Sequence, residues 1–197
     1  MGKQVGLFFG SFNPIHVGHL IIANYIVQNS PLQEIWFVVS PQNPFKTKSS
    51  LLDERQRLYM VNLAVEDNYQ LRSSSVEFDL PVPSYTVDTL AYLQEKHPAD
   101  QFSLLMGSDN LDSIEKWKNY NVIIERHALY VYHRPGYDAD RWKNMPNIHF
   151  PEAPQLLVSA SFIREQIQAG RSVQYLLTEP VYRYVQEMNF YKSLKKG

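Results

Sequence analysis

Apolar residues fall into two patterns along this chain. Val5 to Phe9, Glu34 to Val39 (EIWFVV), Phe102 to Met106 (FSLLM) and Ala128 to Tyr132 (ALYVY) are short runs without in–out alternation. Strands buried on both faces read this way. Between them apolar residues recur at helical spacing. Val17, Leu20, Ile21, Ile26 and Val27 share one side before Ser30-Pro31 stops the pattern. Leu58, Val61 and Val65 face inward on a helix capped by Asp53. Val87, Leu90, Ala91 and Leu93 follow Ser84, a good N-cap, and Pro98 ends that helix. Leu71 to Phe78 holds one or two extended pieces, and short helical segments surround Trp117 and Val122. Ile148 to Phe150 and Leu156 to Val158 read as further short strands. Ser161 to Ala169 is a helix closed by Gly170, and a last helix begins near Pro180.

Strands and amphipathic helices alternate about every 30 residues, the size of a βαβ unit. The pattern predicts an α/β fold: a doubly wound, Rossmann-like parallel sheet with helices on both faces. One domain spans 1–197, with a C-terminal helical part from about 159 packed on it. Such sheets bind ligands at the carboxyl ends of their strands. The residues to watch therefore follow Phe9, Val39, Met106, Tyr132 and Val158.

Composition narrows the function. At 197 residues, 44% hydrophobic and 20% charged, the chain is neither disordered nor a coiled coil. With no cysteine there is no disulfide scaffold, thiol nucleophile or thiolate metal site. Nineteen Lys+Arg against 20 Asp+Glu leave a net charge of -1, so no nucleic-acid polymer is expected as partner. Only Lys192 to Lys196 is locally basic, and a solvated terminus accounts for it. No apolar run approaches the ~18 residues of a membrane span, and the N-terminus does not read as a signal peptide. The expectation is a soluble cytoplasmic protein, and a homo-oligomer is compatible with it.

Chemistry concentrates after the first strand, in Gly10-Ser11-Phe12-Asn13-Pro14-Ile15-His16-Val17-Gly18-His19. This is neither a Walker P-loop nor a GxGxxG fingerprint. It still suits a phosphate. Gly10 permits close backbone approach, Pro14 stiffens the loop, and Gly18 leaves room over helix N–H groups. His16 and His19, three apart, can face the same way and donate to phosphate oxygens. Ordinary surface or capping histidines, or a metal pair completed by a distant ligand, are the other readings. Near the C-terminus, Val158-Ser159-Ala160-Ser161-Phe162-Ile163-Arg164 places a cation in a first helical turn, capped by Ser161. That placement is unfavourable without an anion. A surface Arg beside an ordinary cap is the plain alternative.

Together, G-x-F-x-P-x-H-x-G-H and S-x-S-x-I-R resemble the nucleotidyltransferase superfamily of adenylyltransferases. Within it the chain is similar to the bacterial nicotinate mononucleotide adenylyltransferases over nearly its whole length. Pro44-Phe45-Lys46, Pro83-Ser84-Tyr85-Thr86, Gly107-Ser108-Asp109, Trp117 and His133-Arg134-Pro135-Gly136 carry that likeness. The chain departs from the family at Phe45, often His, at Asn13, commonly Asp, and at Ser11, commonly Thr.

The resemblance implies transfer of the adenylyl group of ATP to nicotinate mononucleotide, giving nicotinate adenine dinucleotide and pyrophosphate in NAD biosynthesis. The displacement is in line, without a covalent intermediate, and Mg²⁺ accompanies ATP on its phosphates, largely through water. It implies that His16, His19 and Arg164 are catalytic. ATP would meet Gly10, Ser11, Phe12, Gly18, Gly107, Asp109, Ser161 and Ile163 besides those three. Nicotinate mononucleotide would meet Lys46, Tyr85, Thr86, Trp117 and Arg134. A sister transferase acting on phosphopantetheine or using CTP, a metal-dependent hydrolase and a non-catalytic nucleotide sensor are the competing functions.

Overall fold

A computed structural model describes residues 2–41 and 51–192. Among the described residues six strands form one sheet: β1 (Gln4–Gly10), β2 (Glu34–Val39), β3 (Leu71–Ser74), β4 (Gln101–Gly107), β5 (Leu129–Tyr132) and β6 (Ile148–His149). All are parallel, in the order β3-β2-β1-β4-β5-β6. Leu7 pairs with Trp36 on one side and Leu104 on the other, so β1 is central. The winding reverses between β1 and β4, and their carboxyl ends open the crevice where such sheets take ligands.

The unbroken apolar runs follow from burial on both faces. Leu105 and Phe8 join one core, while their neighbours Leu104 and Leu7 join the other. On the first face lie α1 (Val17–Gln28), α2 (Glu54–Val65), α6 (Ala160–Gln168) and α7 (Glu179–Glu187), through Ala23, Met60, Ile163 and Val181. The C-terminal helices thus share a core with the sheet. On the second face lie α3 (Thr86–Lys96), α4 (Ser108–Asp112) and α5 (Tyr120–Arg126), through Leu90, Leu111 and Ile123.

Several local expectations change. Val76–Asp79 is a 3-10 turn rather than a second extended piece. Leu156 to Val158 pairs with no strand. Those apolar side chains line a cavity, which leaves the same mark in sequence as a strand. Tyr85, not Ser84, is the N-cap of α3. Ser159, not Ser161, caps α6, its hydroxyl accepting from the Phe162 N–H at 3.1 Å. Ile21 and Ala91 face outward. Asp53 does cap α2, accepting from the Arg55 N–H at 2.9 Å. Lys46, with the rest of 42–50, lies outside the described residues.

Candidate active site

The turn after β1 delivers two histidines to the crevice. His16 is the N-cap of α1, and His19 stands in the first helical turn beside it. Their rings stack at 3.7 Å between centroids and 27° between planes. The His16 backbone N–H donates to His19 Nδ1 at 3.3 Å. In the neutral ring that bond puts the His19 proton on Nε2. Phe12 and Phe8 brace His19 edge-on at 5.2 and 5.8 Å. Phe12 is itself core, with φ 43, and a Cβ on Gly10 would come within 2.8 Å of its ring.

His16 is only 6% exposed. Burial first, and Arg134 second, bring its pKa down to about 4, so it is neutral near pH 7. The His16 side chain turns toward the backbone N–H of His19 in a capping-box arrangement, and its buried Nδ1 makes no hydrogen bond of full geometry among the described residues. A Cβ on Gly18 would approach this nitrogen to 3.0 Å, so glycine here makes room for the ring.

The ends of β4 and β5 supply the opposing charge. Arg134 Nη1 lies 3.4 Å from Asp109 Oδ2, and Nη2 donates to the Tyr132 hydroxyl at 3.4 Å. Burial opposes the Arg134 charge, but Tyr132 and Asp109 outweigh it and raise the pKa. Asp109 Oδ1 is buried and has no hydrogen-bond partner among the described residues, and it is close enough to Gly107 that a Cβ there would lie 2.3 Å away. The Ser108 hydroxyl accepts from the Arg134 N–H at 2.8 Å and ties the two strand ends together. His16, His19, Tyr132, Arg134, Leu156 and Val158 line a cavity of about 320 Å³.

Arg164 reaches the same turn from α6. Its Nη1 donates to the Asn13 carbonyl at 2.8 Å and its Nη2 to the Ser161 hydroxyl at 3.2 Å. Ile163 is fully buried and its N–H donates to the Ser159 carbonyl at 3.0 Å, so it anchors the helix in the core. Tyr85, Thr86 and Trp117 sit elsewhere, around the start of α3. Tyr85 is 39% exposed. Lys118 stands 4.9 Å from its ring centroid and pairs with Asp88 at 2.8 Å, joining the Trp117 segment to the start of α3. Arg134, grouped in sequence with those residues, instead lies with Gly107, Asp109 and the histidine cavity.

Sequence reasoning passed over Tyr132, Lys118 and Arg57. Arg57 left a signal: it precedes Met60 and Val61 by three and four residues, on the buried stripe of α2. Among the described residues no three His, Cys, Asp or Glu side chains converge on a metal position.

The cytidylyltransferase-like family model matches residues 7–166. Relatives named nicotinate-nucleotide adenylyltransferase match over nearly full length. That of Christiangramia forsetii is 54% identical over 98% of this chain and 100% of its own. That of Flavobacterium psychrophilum is 51% identical over 96% and 100%, and that of Bacillus pumilus 36% over 97% and 100%. The chain belongs to the nicotinate-nucleotide adenylyltransferase family. Its fold is that of Plasmodium falciparum nicotinic acid mononucleotide adenylyltransferase solved with NaAD, at TM-score 0.82 and 21% identity over 96% of this chain and 97% of that one. No described helix is long and apolar enough to cross a membrane.

Proposed function

We propose that the histidine cavity and the α3 edge perform adenylyl transfer from ATP to nicotinate mononucleotide, releasing nicotinate adenine dinucleotide and pyrophosphate. The observation that carries this reading is the His16–His19 stack, buried and neutral at His16, facing Arg134 where the sheet reverses. A mononucleotide phosphate is already a competent nucleophile, so no protein base is required. Catalysis is positioning and charge stabilisation during one in-line displacement at the α-phosphorus.

His19 Nε2–H and the His16 ring donate to the triphosphate as negative charge moves toward the leaving pyrophosphate. Arg164 with Ser161 takes the β/γ end. Arg134 works on the ATP side, because it shares the cavity with both histidines. Leu156 and Val158 offer an apolar wall to adenine, and Asp109 Oδ1 remains to accept from ribose or base. Gly10, Ser11 and Gly18 let the backbone and His16 come close. Mg²⁺ arrives on the triphosphate, held through water. An ATP-consuming biosynthetic role fits a cytoplasmic protein.

The α3 edge reads the acceptor. Trp117 stacks on the pyridine, and the first N–H groups of α3 at Thr86 donate to its carboxylate. Lys118 offsets Asp88, the acid already in that first turn, and preserves the field for the substrate. Pyrophosphate release with ATP and a panel of acceptors tests the reading. Turnover with nicotinate mononucleotide supports it. Turnover confined to phosphopantetheine, or requiring CTP, overturns it.

A further inference from the structure

Arg57 has no place in the reaction as described, yet it is among the most buried side chains, at 0% exposure. Among the described residues it forms no salt bridge. Its guanidinium is surrounded by backbone carbonyls instead. Nε donates to Leu52 at 2.9 Å, Nη1 to Ser11 at 2.7 Å and Ser40 at 2.8 Å, and Nη2 to Pro41 at 3.1 Å. Burial opposes the charge, and Glu54, Tyr191 and Asp53 support it from a distance. Burying a cation without a paired anion is unfavourable, and Met60 and Val61 show that hydrocarbon fits this face of α2. Packing alone does not account for an arginine there.

The acceptors explain it. Ser11 follows β1 and Ser40 follows β2, and the Ser40 N–H donates to Gly10 at 3.0 Å. Arg57 therefore fastens the segments leaving two central strands to each other and to the start of α2. Asn13, two residues after Ser11, is held from other directions. Its Oδ1 accepts from the Leu52 N–H at 3.3 Å and from the Tyr191 hydroxyl at 2.8 Å, and its carbonyl accepts from Arg164. Burial keeps the Tyr191 hydroxyl protonated and able to donate. Between these clamps stands Phe12, whose ring backs His19.

We propose that Arg57 is a positioning residue for adenylyl transfer: it fixes the Ser11–Asn13 turn, and through Phe12 and Asn13 sets His19 against Arg164. The inference rests on the adenylyl-transfer reading of the site. Tyr191 holds the far side of the same turn. A flexible ammonium cannot reproduce a planar fork bonded to four carbonyls, so the Arg57→Lys substitution would keep the charge and lose the geometry.

The test compares Arg57→Lys and Tyr191→Phe with the wild type, scoring kcat per folded molecule and KM for each substrate. Misplacing catalytic groups by about 1 Å costs up to ~10² in rate. Arg57→Lys is expected to lower kcat by roughly 10-fold or more, and Tyr191→Phe by about threefold, with KM for the mononucleotide within about twofold. Imidazole NMR of the free enzyme gives a readout besides turnover: in Arg57→Lys, His19 loses its fixed Nε2–H tautomer. Wild-type kcat and an unchanged His19 signal in folded Arg57→Lys would overturn the proposal. If that variant does not fold, wild-type kcat in Tyr191→Phe would overturn it. An inactive wild-type enzyme would instead refute the reading of the site.

Discussion

The two sides of this site are built differently. The region proposed for ATP is carved into the sheet's own crevice, where His16 is buried, His19 is wedged among aromatic rings and Arg134 is pinned by Asp109 and Tyr132. The region proposed for the acceptor is an edge: Tyr85 is more than a third exposed, and Lys118, half in solvent with its partner Asp88, stands beside its ring. Electrostatic groups are worth most where water is excluded and their geometry is preset. The comparison assigns rate enhancement to the crevice and substrate choice to the edge. Substitutions in the crevice should therefore change kcat with any acceptor, while those at the edge should act on acceptor KM.

The largest effect is expected from His19→Ala. Removing one preset donor to a developing charge costs about 3–4 kcal/mol, or a fall of about 10²–10³ in kcat. The fold should stay intact, because His19 is only partly buried. Near-wild-type turnover would detach His19 from the reaction.

Next comes the pH dependence of stability. The His16 pKa falls from 6.5 to about 4 on folding. Between those values the unfolded chain binds a proton that the folded chain refuses, so this contribution is complete above 6.5 and is lost as pH falls toward 4. The difference is about 3 kcal/mol. Denaturant unfolding of wild type and His16→Asn between pH 4 and 7 checks it: the gap between the two should shrink on acidification. A constant gap would mean that His16 titrates normally in the folded state.

Arg164→Ala should reduce kcat/KM for ATP by about 10-fold or more, with Arg164→Lys recovering only part of the loss. Arg134→Ala should behave alike, which separates it from the acceptor side. An acceptor-KM effect without an ATP effect would return Arg134 to the mononucleotide. The smallest change belongs to the edge. Trp117→Ala should raise KM for acid and amide acceptors alike, by about 10-fold for the loss of ring stacking. A change in kcat alone would contradict its place at the edge.

Some of this was legible in sequence and some was not, for physical reasons. The β2 run Glu34–Val39 is readable because a strand buried on both faces leaves no alternation, and the Asp53 cap because its side chain bonds within its own turn. Leu156 to Val158 misleads because a cavity wall and a strand are equally apolar. Serine-rich helix starts misplace caps: Ser84 and Ser161 look as suitable as the true capping positions, Tyr85 and Ser159. That Arg134 stands beside Asp109 is not legible because β5 lies beside β4 in space, a neighbour relation that spacing along the chain does not carry. Arg57 is visible only as a charge on an apolar stripe, since three of its four carbonyl partners lie on segments remote in sequence.

The division between crevice and edge is tested most directly by one ratio: kcat/KM for nicotinate mononucleotide over that for nicotinamide mononucleotide, in wild type and in His19→Ala. The acid presents two acceptors and a charge to the N–H groups at the start of α3, whereas the amide turns a donor toward at least one of them. That mismatch is worth roughly 2–4 kcal/mol where water is excluded, so the wild-type ratio should be about 10²–10³. In His19→Ala both efficiencies should fall together and the ratio should hold within about threefold. A wild-type ratio near one, or a ratio that collapses when His19 is removed, would contradict the account.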